Sequence, residues 1–220
     1  MKRIIIIGVG IIAVFVVALI VNVILFTKST ARISKGETIP NFSHQKAALM
    51  VIDIQEGTTG KLSTTHEYQN KSSSLLYTTN QAIDSCKANN IPVIYIGNEV
   101  TNPWINFINK SMKKGTQGTL LDRRLTIVSG NVFYKKKQDA FSNPELDGFL
   151  RKNEINQLYI TGLDAAFCIG STVKAALNRN YQVLLIADAI ISESEDIKQQ
   201  AFQEMTNAGA QKISLAEISF

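Results

Sequence analysis

Ala47-Ala-Leu-Met-Val-Ile-Asp53 is an unbroken apolar run closed by an acid. No polar residue alternates into it, so it does not read as a strand with one wet face. It reads as a strand buried on both faces of a parallel sheet, with Asp53 at its carboxyl end.

The same reading extends along the chain. After a polar loop to about His66, residues 68–90 carry Leu75, Leu76, Ile83 and Cys86 near helical spacing, and Asn89-Asn90 stops them. Residues 91–97 form a second strand, with Pro92 tolerated at its start. Residues 98–127 contain Pro103, Trp104, Gly115 and Gly118 and read as a long functional loop. A short strand over 128–135 follows, then a helix opened by Pro144 and running to about Asn153. The pattern continues as a strand over 158–162, a helix from near Cys168 to Asn180 and a strand over 182–187. It ends with a helix over 194–207 and a last short strand over 210–215. Strand and helix in alternation predict a three-layer α/β domain with a mostly parallel central sheet, Rossmann-like in plan.

In such sheets ligands bind beyond the carboxyl ends of the strands. Asp53, Lys135 and Cys168 follow the first, third and fourth predicted strands. A thiol attacks as its thiolate. A helix start and a nearby ammonium favour that charge, and a carboxylate within reach can take the proton. The turn before the helix offers backbone N–H groups to an oxyanion. Packing alternatives stand beside this reading. A lone Cys at a helix start is commonly a buried small hydrophobe. Lys135 heads a Lys135-Lys136-Lys137 run of a kind that is usually solvated, and Asp53 can cap a turn.

Larger motifs favour the chemistry. Ala48-Leu-Met-Val-Ile-Asp-Ile-Gln55 resembles the first-strand motif of isochorismatase-like cysteine hydrolases. Lys135-Lys-Lys-Gln-Asp-Ala-Phe141 is similar to the family's Lys-x4-Ala-Phe element, and Ile160-Thr-Gly-Leu-Asp-Ala-Ala-Phe-Cys-Ile169 to its nucleophile motif. Gly115-Thr-Gln-Gly118 resembles its Gly-Thr-x-Gly turn, and residues 183–189 the strand after the nucleophile. The resemblance runs in order from about residue 46 to 215. It implies the isochorismatase-like hydrolase fold and amide-type hydrolysis through a covalent Cys intermediate. Asp53 would be the base, Lys135 the charge holder and Cys168 the nucleophile. The backbone N–H groups of Asp164 and Cys168 would form the oxyanion hole, and a cis peptide would join Leu163 to Asp164. The same resemblance places Gln55, Glu99, Trp104 and Phe141 near substrate, although for the two loop residues a solvated Glu and a packed Trp are together the commoner outcome than a recognition pair.

Two departures narrow the class. The metal-bound nicotinamidases of this family carry an Asp-x-His segment after the second strand, and Gly97-Asn-Glu-Val-Thr-Asn102 has no His. No metal and no cofactor are therefore expected. Isochorismatases proper, which cleave a vinyl ether, lack the Cys, so Cys168 favours a C–N bond of a small amide, ureide or carbamoyl compound. The rival readings are a vinyl-ether or other non-amide hydrolase, and an inactive binding or scaffold module on the same fold.

Ahead of the domain, Ile4 to Phe26 is free of charge, with Asn22 its one strongly polar residue. A helix of that length crosses the roughly 30 Å of bilayer hydrocarbon. It is too long for a secretory h-region, and Phe26-Thr-Lys-Ser29 is a poor cleavage site, so it reads as a retained anchor. Residues 1–26 are thus assigned as a transmembrane anchor, 27–45 as a linker and 46–220 as the hydrolase domain. Lys2 and Arg3 precede the span and Lys28, Arg32 and Lys35 follow it, so the positive-inside balance is nearly even. A short N-terminal tail carrying Lys2, Arg3 and the free amine tilts the domain to the extracytoplasmic side. The net charge of +5 suits an anionic membrane surface. No nucleic-acid motif accompanies it. The expected partners are a small-molecule substrate, membrane lipid along residues 4–26, and a second copy, since the family tends to self-associate.

Overall fold

The computed structural model describes residues 2–218, with side chains from Ile7 onward. Met1, Ser219 and Phe220, at the edges of the anchor and domain assignments, lie outside the described residues, as do the side chains of Lys2 and Arg3. The elements are α1 (Lys2–Thr30), β1 (Ala47–Ile52), α2 (His66–Ala88), β2 (Val93–Asn98), α3 (Pro103–Ile108), β3 (Val132–Lys135), α4 (Pro144–Lys152), β4 (Gln157–Gly162), α5 (Gly170–Leu177), β5 (Gln182–Ile190), α6 (Glu195–Asn207) and β6 (Gln211–Ile213).

The six strands lie in the order β3-β2-β1-β4-β5-β6, with every neighbouring pair parallel. β1 is central because it is apolar on both sides. Ala48, Met50 and Ile52 enter the core under α4, α5 and α6, while Leu49 and Val51 enter the core under α2. Fully burying each such side chain is worth about 1.5–3 kcal/mol. The chain leaves β1 toward β2 and β3 on one side and returns to β4 on the other. The topological switch point therefore lies between β1 and β4, where a ligand crevice forms in an open α/β sheet.

Four differences from the sequence reading have local causes. The third strand begins at Val132, because residues 126–129 bond to side chains and loop carbonyls. The Tyr95 hydroxyl accepts from the Val128 N–H and donates to the Thr126 carbonyl, and Ser129 donates to the Val93 carbonyl. The long loop contains a helix, α3, started by the Asn102 side chain, which accepts from the N–H groups of Trp104 and Ile105. The helix after β4 opens with a π-helical turn, Ala165–Ile169, before α5. Residues 31–45 have no regular structure but are fastened to the domain. The Ser34 N–H donates to Asp139 Oδ2 at 2.7 Å, and the Ile39 N–H to the Arg179 carbonyl at 2.8 Å. The buried Arg179 guanidinium donates to the Ser34 carbonyl and to Asp147. Arg151 donates to the carbonyls of Glu37 and Thr38.

Candidate active site

Three strand ends build the site. Asp53 follows β1 with φ of 57°, a left-handed conformation that Asp adopts more readily than most residues. Strict alternation would send Asp53 to the α2 side, opposite Lys135; the left-handed turn breaks that alternation at the strand's end. Beside it, Gly162 ends β4 with φ of 118°, and a Cβ there would lie 2.0 Å from the Ile52 carbonyl oxygen. Only glycine lets β4 turn this close to β1. The turn continues through Leu163–Asp164, whose peptide is cis.

Lys135 ends the edge strand β3 yet is 1% exposed. Its ammonium donates to Asp53 Oδ2 at 2.9 Å and to Cys168 Sγ at 3.1 Å. Among the described residues Asp53 Oδ1 is buried with no hydrogen-bond partner, leaving an acceptor free in the cluster. Burial works against the Lys135 ammonium, but the charges of Asp53 and Cys168 outweigh it and hold its pKa above the usual value. Burial first, and then the Asp53 charge, push the Cys168 thiol up to about 12, with Lys135 pulling the other way. That shift favours the thiol near neutral pH, so a nucleophilic role for the sulfur would need a base within reach. Cys168 keeps partial exposure, whereas the second free cysteine, Cys86, is fully buried on the inner face of α2.

The turn carrying Cys168 is fixed by Asp164. Its Oδ1 accepts from the Ala166 N–H at 2.7 Å, capping the helix. Its Oδ2 accepts from the Ser192 hydroxyl at 2.7 Å, the Tyr68 hydroxyl at 3.1 Å and the Glu193 N–H at 3.2 Å. Burial and the Asp164 charge keep the Tyr68 phenol protonated and donating. Tyr68 and Ser192 come from distant elements, and no local motif marks them.

The four residues expected near substrate have other settings. Gln55 is fully buried and its amide bonds to the protein. Nε2 donates to the carbonyls of Thr119 and Asn98, and Oε1 accepts from the Asn98 N–H. It braces the loop after β1 against β2. Phe141 lies in the core with its ring 5.6 Å from Tyr181 and 4.7 Å from the Arg179 guanidinium. The Ala140 N–H donates to Thr172, so this part of the motif packs its turn onto α5. The Glu99 carboxylate lies 3.9 Å from the exposed Lys114 ammonium, and its N–H donates to the Lys135 carbonyl. Trp104 packs on Phe15 of α1, ring centroids 5.5 Å apart.

A cavity of about 90 Å³ opens beside Cys168, with Asn98, Val100 and Gln138 in its wall together with Phe26 and Thr30 of α1. A larger cleft of about 480 Å³ lies between Glu56, Ser72 and Arg124, and none of Asp53, Lys135 and Cys168 lines it. Size alone would select that cleft; reach to the sulfur selects the smaller one. Asn98 sits at the carboxyl end of β2, a position that could have marked it; Phe26 and Thr30 carried no such mark.

An acid, a buried ammonium and a sulfur in mutual reach at the switch point of a parallel sheet form an arrangement suited to nucleophilic attack on a carbonyl. The profile of the Isochorismatase domain matches residues 47–217. The chain belongs to the isochorismatase-like hydrolase family. It is 36% identical over 74 residues to a nicotinamidase of Escherichia coli K12, a stretch that covers 33% of this chain and 35% of that one. It is 25% identical over 187 residues to a ureidoacrylate amidohydrolase of Serratia proteamaculans, covering 73% and 75% of the two chains. The crystal structure of N-carbamoylsarcosine amidase from Thermoplasma acidophilum superposes with a TM-score of 0.68 at 26% identity, over 80% of this chain and 100% of that one. The chain thus spans about a third of the length of the nicotinamidase it matches.

Proposed function

We propose that this chain is a membrane-anchored cysteine hydrolase that cleaves a C–N bond of a small amide, ureide or carbamoyl compound through a covalent Cys168 intermediate. The observation that carries the reading is the Lys135 ammonium, 2.9 Å from Asp53 and 3.1 Å from the Cys168 sulfur. Asp53 takes the thiol proton as the sulfur attacks the carbonyl carbon. The oxyanion accepts hydrogen bonds from the N–H groups of Asp164 and Cys168 while Lys135 holds the charge of the cluster. Asp53 returns its proton to the leaving nitrogen, the C–N bond breaks, and a thioester-like adduct remains. Water, deprotonated by Asp53, attacks the adduct; the acid leaves, and the proton returns to sulfur. The relatives named above act on amide and ureide bonds by their names, which supports the substrate class.

Anchoring is supported by α1, which from Ile7 to Thr30 is long and apolar enough to cross a membrane. Among its apolar side chains Ile12, Val14 and Leu25 are 61–71% exposed, a surface that calls for lipid. In membranes, protease accessibility of the domain in intact cells reports the side, and the intact mass of the mature protein reports whether α1 is retained.

Cys168→Ser, assayed against a panel of small amides, is expected to lower turnover by about 10³-fold or more. An intact-mass increase confined to Cys168 is expected when substrate is trapped. Unchanged turnover in Cys168→Ser would reject the mechanism.

A further inference from the structure

The end of α1 is a wall of the catalytic cavity. Phe26 and Thr30 line the space beside Cys168, facing Val100 and Asn98. They belong to the stripe of α1 that lies on the domain: Leu19, Asn22, Val23, Phe26 and Thr30 are partly covered, while Val21, Ile24 and Leu25 on the other sides are exposed. That spacing is one helical face.

The wall is held from both ends. The Gln138 N–H donates to the Thr30 carbonyl at 3.0 Å, and its side chain accepts from Ser171 at 3.1 Å. Gln138 lies three residues after Lys135, and Ser171 three after Cys168, so one residue, through its backbone N–H and its side chain, ties the helix end to both segments. Farther along, Asn102 donates to Asn22 at 3.2 Å, and Trp104 packs on Phe15. Below, residues 31–45 are fastened through Ser34, Ile39 and Arg179.

Ordinary ligand pockets measure roughly 300–1,000 Å³. With α1 in place the space at the sulfur is about 90 Å³. The geometry points to the last turns of α1 as part of the substrate site: Phe26 and Thr30 are specificity-determining residues that restrict the cavity over Cys168 to a carbonyl compound with a compact substituent. This rests on the reading of Cys168 as the nucleophile. The anchor then does more than tether the domain. It sets which molecules reach the sulfur.

The test uses the full-length protein in lipid nanodiscs and compares alkylation of Cys168 by iodoacetamide with that by its bulky phenyl analogue, iodoacetanilide, each followed by intact mass. The wild type should react about tenfold or more faster with the small reagent. Phe26→Ala should bring the two rates together, and Phe26→Trp should widen the gap. Leu25→Ala, on the exposed side of the same turn, should leave the ratio as in the wild type. An unchanged ratio in both Phe26 variants would overturn the inference and leave the nucleophile intact. A Cys168 unreactive in the wild type and equally unreactive in Phe26→Ala would overturn it as well, since the helix would not be what closes the site. Retained turnover in Cys168→Ser, by contrast, would overturn the mechanism whatever the ratio does.

Discussion

Asp53, Lys135 and Cys168 meet inside a closed shell that leaves Lys135 at 1% exposure, whereas α1 touches the same domain along one stripe and leaves the rest of its apolar surface bare. In the first region the Lys135 ammonium pairs with the Asp53 carboxylate and donates to the Cys168 sulfur, and loss of the ammonium leaves a buried carboxylate unpaired. In the second, contacts are apolar packing, a few backbone hydrogen bonds and one amide pair, each replaceable at small cost. The two meet at the cavity beside Cys168. The contrast suggests a division of labour: the rim determines whether a bond can be broken, and the flank determines which molecule is admitted.

The sharpest way to break the contrast is Lys135→Met, which keeps the volume and removes the cation. Asp53 is then a buried, unpaired carboxylate. Removing one partner of a buried pair costs about 3–5 kcal/mol. The measurable outcome is a matching fall in unfolding free energy by denaturant titration, together with slower iodoacetamide labelling of Cys168. A loss below about 1 kcal/mol would mean that the pair is solvated rather than sealed.

How far each region could be read in advance follows from the same contrast. β1 was legible because a strand buried on both faces has no alternation to confuse. Asp53 and Lys135 drew notice as residues at strand ends and Cys168 as the start of a helix, each within a longer motif. Gln55 and Phe141 sat in the same motifs, yet their neighbours in space make them a brace and a core residue, which motif membership alone does not reveal. The docking of α1 was illegible for a different reason: a uniformly apolar helix has no polar face, so no period marks which side meets the domain. Asn22 was the lone exception, and its partner Asn102 lay in a loop read as irregular. The cap that starts α3 is that same Asn102, easily overlooked ahead of Pro103.

Arg179 tests the link between the regions. Its guanidinium holds the Ser34 carbonyl and Asp147 while stacking on Phe141. Arg179→Met is expected to cost about 1.5–3 kcal/mol, the range for hydrogen bonds to charged groups. Hydrogen exchange should accelerate first at the Ser34 and Ile39 amides. The Asp53–Lys135 contact should survive, so iodoacetamide labelling of Cys168 should not slow; slowing would show that residues 31–45 support the rim itself.

A smaller effect distinguishes the acid's two influences on the sulfur. The Asp53 charge is one of the causes that push the Cys168 thiol up to about 12. In the substrate-free protein, labelling should therefore climb about tenfold per pH unit from pH 7 to 10 without a plateau. Asp53→Asn removes a charge that opposes the thiolate and leaves Lys135 with the sulfur as its natural anion. The labelling curve should move to lower pH while hydrolysis is lost. Faster labelling with intact hydrolysis would show that another group is the base.

The smallest expected effect lies wholly on the flank, and Trp104 reports it. It is the single tryptophan of the chain and its ring packs on Phe15, so its emission follows the contact between α1 and α3. Asn22→Leu removes the acceptor of the Asn102 hydrogen bond. Interhelical hydrogen bonds in lipid average about 0.6 kcal/mol, because the separated helices find other partners. Asn22→Leu should therefore leave the fold intact and shift Trp104 emission slightly, with a modest rise in exchange at the α3 amides. Phe15→Ala should shift the emission further. If neither substitution moves it, α1 and α3 are not in contact in the membrane, and the wall at Phe26 would have to be held by Gln138 and residues 31–45 alone.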